Sequence, residues 1–83
     1  MSVEYYRKQI IDLRARIASE REAKKRDNES YARSIKGAST TSMKASYRKS
    51  KIDRAAAHDR QIDRLKREIE YAKASLARER ARR

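Results

Sequence analysis

The sequence predicts an all-α protein: an antiparallel two-helix coiled-coil hairpin that associates with itself or packs on a partner. Three observations predict it. Apolar residues step by three and four in the first third (Val3, Tyr6, Ile10, Leu13, Ile17) and again in the last (Ile62, Leu65, Ile69, Ala72, Leu76), the spacing of one helix face. Between them lies the only cluster of turn and cap residues, Gly37-Ala38-Ser39-Thr40-Thr41-Ser42. The two stripes are also mirror images about that cluster. Val3 with Leu76, Ile10 with Ile69 and Ile17 with Ile62 are each symmetric about the point between Ser39 and Thr40. Leu13 with Leu65 and Ile35 with Met43 are symmetric about Ser39.

The first helix is expected over about 3–36, with Val3, Ile10 and Ile17 at heptad position a and Tyr6 and Leu13 at d. The same register then meets Glu20, Lys24, Asp27, Tyr31 and Ser34, so the middle of the seam is polar. Gly37 reads as the residue just past a helix C-terminus, and Ser39 to Ser42 offer four N-caps, giving a turn over about 37–41. The second helix is expected over about 42–80, with Ile62, Ile69 and Leu76 at a and a basic tail at 78–83. Each arm would be about 50 Å long at ~1.5 Å per residue. Six acid-first pairs at i and i+4 support the helices (Glu4–Lys8, Asp12–Arg16, Glu20–Lys24, Glu22–Arg26, Glu29–Arg33, Asp63–Arg67), each adding about 0.2–0.5 kcal/mol. The pairing seam is Ile10, Leu13, Ile17, Ile62, Leu65, Ile69 and Leu76. Two uninterrupted helices in an antiparallel homodimer would satisfy the same symmetry, because Gly37 costs a helix interior only about 1 kcal/mol. A closed loop of chain needs no second copy and is the preferred arrangement.

Composition narrows the function. The chain has 83 residues, no Cys, no Trp, no Phe, no Pro and one His. That is too short for a deep substrate pocket and lacks the ligands of a thiolate or multi-histidine metal site. No enzyme activity, metal, cofactor or small-molecule substrate is expected. No run approaches the ~20 apolar residues of a membrane span, and the opening Met1 to Tyr6 has neither the basic nor the apolar region of a secretory signal. The expected compartment is cytoplasmic, with export in the company of a partner as the alternative. One apolar stripe per helix gives a small core, and marginal stability alone is a physical reason to expect a partner.

The net charge of +12 is placed unevenly. Position e carries Arg7, Arg14 and Arg21 in the first helix and Asp59, Lys66, Lys73 and Arg80 in the second. In an antiparallel pair e faces e, so Arg14 meets Lys66, Arg7 meets Lys73, and only Arg21 meets an acid, Asp59. A coiled coil arranged for its own pairing would oppose unlike charges there. Arg7, Arg14, Lys66, Lys73 and Arg80 therefore form a like-charged edge suited to an acidic protein partner. Acids interleaved along both helices, and the absence of any nucleic-acid module, leave polyanion binding as the alternative: nonspecific and steeply salt-dependent. An amphipathic membrane-surface helix ranks last, since the apolar face is narrow.

Among the aromatics, Tyr31 and Tyr47 are symmetric about Ser39 and are expected to stack across the hairpin, while Tyr5 and Tyr71 lie off the seam as interface candidates. His58 is expected opposite Glu20 as a satisfied seam residue, and Asp27 opposite Lys51. Ser30, Ser34, Ser42, Ser46 and Ser50 keep the region near the turn slim.

The Tyr5-Tyr6 opening, the Ile10-x-x-Leu13-x-x-x-Ile17 seam, the Ser39-Thr40-Thr41-Ser42 tip and the returning His58-Asp59-Arg60-Gln61-Ile62-Asp63-Arg64-Leu65 helix resemble the coiled-coil hairpins of bacterial conflict and secretion systems. The resemblance covers most of the chain, and it implies a companion segment or small companion protein of an effector. The WXG-type secretion hairpins are of similar size, but their Trp-x-Gly turn is replaced here by Ile35-Lys36-Gly37. Their Tyr-x-x-x-Asp/Glu export tail has no counterpart, since Lys51 follows Tyr47 and Ser75 follows Tyr71 at that spacing.

Overall fold

A computed structural model describes residues 2–82. Ser2 begins the fold: its hydroxyl accepts from the Tyr5 amide at 3.2 Å, satisfying one of the unpaired donors of a helix start. Helix α1 then runs Val3–Gly37 and helix α2 runs Thr41–Ala81, packed antiparallel as a hairpin. The result is a rod of 65 × 14 × 11 Å.

The turn is tighter than expected, and Gly37 plays a different part in it. Gly37 is the last residue of α1, and no residue among those described has positive φ. The helix stops instead because Ala38 turns to extended backbone (φ −70°, ψ 135°) while its amide donates to the Ile35 carbonyl at 3.3 Å. Among the four candidate caps, Thr40 is used, its hydroxyl accepting from the Met43 amide at 3.1 Å. Three residues, 38–40, make the connection.

Burial is concentrated away from the turn. Val3, Ile10, Leu13 and Ile17 of α1 are buried, and the last three form one cluster with Ile62, Leu65, Ile69 and Ala72 of α2, in which Leu65 is only 2 % exposed. Leu76 packs on the rim of this cluster. The small Ser75 is buried between the helices instead, with its hydroxyl accepting from Arg78 at 3.1 Å. From residue 18 to residue 61 no side chain is fully buried. The hairpin thus has an apolar base and a polar half toward the turn.

At the base, the expected basic tail is the last turn of α2, which reaches Ala81 and is capped by Arg82; Arg83 lies outside the described residues. Arg78 and Arg80 in that turn oppose the partial negative charge of the helix end. The expected stack of Tyr31 on Tyr47 does not form. Both are half-buried, and the ring pair present is Tyr5 against Tyr6, edge-on at 5.3 Å. Ile35 lines a groove with Ile52, and Met43 is 42 % exposed with its sulfur 3.9 Å from the Ser39 hydroxyl.

Candidate functional site

Charged residues at core positions must find partners, because burying an unpaired charge is costly. Glu20, Lys24 and Asp27 occupy the α1 seam just beyond Ile17. Each reaches across to α2. Lys24 Nζ donates to Asp59 Oδ1 at 2.7 Å, and Arg54 Nε donates to Asp27 Oδ2 at 3.3 Å. His58, with 15 % of its side chain exposed, bridges two carboxylates: Nδ1 is 2.6 Å from Glu20 Oε1 and Nε2 is 2.6 Å from Asp27 Oδ2.

Ionised carboxylates only accept hydrogen bonds, so both ring nitrogens must carry protons. The hydrogen bond to Asp27, then that to Glu20, holds the His58 pKa above its ordinary value against the opposing effect of burial. The same bond from His58, aided by Arg54, holds Asp27 below its ordinary value. Across this stretch Glu20, Asp27 and Asp59 face Lys24, Arg54 and His58. The two sets balance only when the imidazole is charged.

His58 meets Glu20 as expected, but the partners of Asp59 and Asp27 differ from the expected ones for a physical reason. Asp59 was expected beside Arg21, and Asp27 beside Lys51. The seam positions leave Lys24 and Asp27 between the helices, where Lys24 takes Asp59, and Asp27 takes His58 and Arg54. The six i, i+4 pairs are likewise not closed as ion pairs. Glu20 and Lys24 are drawn across the hairpin, and Glu4 turns to Arg7. The intrahelical pairs that do form are spaced by three: Glu4–Arg7, Glu70–Lys73 and Glu79–Arg82.

This rearrangement redraws the basic edge. Arg7 and Lys73 have nearby acids on their own helices, at 3.5 and 3.4 Å, so neither is the unmatched cation expected from the heptad. Arg14 and Lys66 are exposed and form no ion pair among the described residues. Arg21, having lost Asp59 to Lys24, joins them. It lines with Lys66 an open groove of about 450 Å³, together with Lys24, Asp59, Ile62 and Asp63. Arg80 is exposed in the last turn of α2, beyond the apolar base. The seam residues Ile10, Leu13, Ile17, Ile62, Leu65 and Ile69 are all buried, and Leu76 partly so.

The same edge also carries an apolar feature that the heptad charges do not reveal. Nearer the turn, position e carries Asn28 and Ile35 on α1 and Ile52 on α2. These line a shallow groove of about 380 Å³ with Ala55, Arg48 and Lys51. Ile52 is 69 % exposed. Its position seven residues from Asp59 and fourteen from Lys66 was the available signal.

Among the described residues, no helix is long and apolar enough to cross a membrane, and no three acidic, histidine or cysteine side chains are grouped to hold a metal ion. No protein family, curated protein or solved structure matches the chain.

Proposed function

We propose that the chain is a non-catalytic helical interaction module that docks through one long edge onto an acidic surface of a larger protein. The observation that carries this reading is the cluster of Arg14, Arg21 and Lys66. These three cations have no ion-pair partner among the described residues, although acids are close by and the seam uses them elsewhere. Unpaired charge left on one edge costs the hairpin little in water and gives a complementary surface both rate and orientation of binding. The resemblance to effector-associated hairpins supports a bacterial effector or toxin as the larger protein, and a cytoplasmic encounter with it.

The test is partner capture from the native host, with light scattering at low and high salt, using wild type and the double variant Arg14→Glu/Lys66→Glu. Circular dichroism should show unchanged helicity, since both positions are exposed. Loss of a discrete partner in the variant supports the edge. Unchanged capture sinks it. Affinity for any polyanion that collapses with salt, indifferent to which cations are reversed, would favour nucleic acid instead.

A further inference from the structure

The apolar groove at Ile35 and Ile52 says more about the partner than the cations do. A single exposed isoleucine is ordinary. Here Ile52 and Ile35 line the same groove, and the small Ala55 adds a third apolar side chain to it. The groove's cationic residues, Arg48 and Lys51, form no ion pair among the described residues. A second copy of the chain is a poor occupant. It would bring its own net +12 and its own Arg14, Arg21 and Lys66 against Arg48 and Lys51. A nucleic acid would satisfy the cations but leave the isoleucines in contact with phosphate or water.

The groove and the cation cluster share position e. Asn28 lies fourteen residues from Arg14, and Ile52 fourteen from Lys66, so both strands of the edge place the two features about 21 Å apart at ~1.5 Å per residue. From this spacing we infer that the partner element is one amphipathic, acidic α-helix lying along the edge. Its apolar side chains enter the Ile35–Ile52 groove, and its carboxylates, two heptads further along, meet Arg14 and Lys66, with Arg21 one heptad nearer the groove. This rests on the docking reading above and adds to it the partner's secondary structure and the spacing of its anchors. The pairing is a helix-in-groove contact in which apolar anchors hold and charges set direction.

The experiment uses two synthetic helical peptides of identical composition, each with a leucine pair at one end and a glutamate cluster at the other. In one the two groups are about 14 residues apart, matching the ~21 Å span; in the other they are separated by one heptad only. Binding to the full chain is measured by calorimetry and fluorescence anisotropy. The two-heptad peptide should bind more tightly than the one-heptad peptide. Ile52→Ser should weaken it about tenfold or more, the scale of an isoleucine's lost burial, with helicity retained because the side chain is exposed. Arg14→Glu/Lys66→Glu should weaken it independently. If the charge reversal abolishes binding but Ile52→Ser and the spacing change do nothing, the docking edge stands and the helix-in-groove assignment falls. If neither variant matters, both fall. If Ile52→Ser instead dissolves a dimer seen by analytical ultracentrifugation, the groove belongs to a second copy and the inference is overturned.

Discussion

His58 Nε2 lies 2.6 Å from Asp27 Oδ2, a full heptad along α1 from the Glu20 carboxylate held by the other ring nitrogen. This contact ties the hairpin's middle to the protonation of one side chain. His58 has a raised pKa in the fold, so its contribution is complete below the ordinary histidine value of about 6.5 and is lost as pH rises through the raised value. Asp27 has a lowered pKa, so its contribution is present above the ordinary aspartate value and is lost as pH falls through the lowered one. The melting temperature should therefore be highest in mildly acidic solution and fall toward alkaline pH, and His58→Gln should flatten the alkaline limb. A ring-proton NMR titration of His58 at or below the free-histidine value would contradict this.

Side-chain truncation should separate the base from the edge. Leu65→Ala truncates the most buried large side chain of the apolar cluster and should cost about 2–5 kcal/mol, enough to unfold much of a small hairpin. Ile11→Ala, at a position 64 % exposed, should change stability by no more than about 0.5 kcal/mol. Thermal and urea melts followed by circular dichroism would check both. Equal losses at the two positions would mean that Ile11 is covered in solution.

At the turn, Gly37→Ala should stabilise the hairpin by roughly 0.5–1 kcal/mol. The residue is helical, has no positive φ, and an added methyl would meet nothing within 4 Å. Thr40→Ala should cost about 1 kcal/mol by removing the cap on Met43. A destabilised Gly37→Ala variant would show that α1 ends in a left-handed residue after all.

Amide exchange should divide the molecule at about residue 18 on α1 and residue 61 on α2. Amides of 10–17 and 62–72, around the buried cluster, should be the slowest, and those of 27–57 should open more readily. Uniform protection along both helices would indicate that the polar middle is as strong as the base.

The seam was legible because periodicity survives without any knowledge of neighbours. Ile10, Leu13, Ile17, Ile62, Leu65 and Ile69 are apolar at positions that only one helix face can bury. Charge pairing was not legible to the same degree. Lys and Arg side chains reach several acids, and the choice depends on which ones the seam traps. Asp59 could serve Arg21 or Lys24, and the core position of Lys24 decides it. Gly37 was misread because glycine at a helix end suggests a left-handed residue, whereas the extended backbone of Ala38 already ends the helix. The Ile35–Ile52 groove escaped because Ile35 mirrors Met43 in the sequence and Ile52 mirrors no apolar residue, so only their shared position on the edge connects the two isoleucines.

The confinement of the apolar cluster to one end of a 65 Å rod has a mechanical consequence. The hairpin is a cantilever, clamped where α1 begins and α2 finishes and compliant toward the Ser39–Thr40 tip. A helix binding along its edge would bear on the stiff segment at Arg14 and Lys66 and on the soft one at Ile35 and Ile52. Occupancy would then splint the compliant half to the clamp and convert a bending rod into a rigid strut.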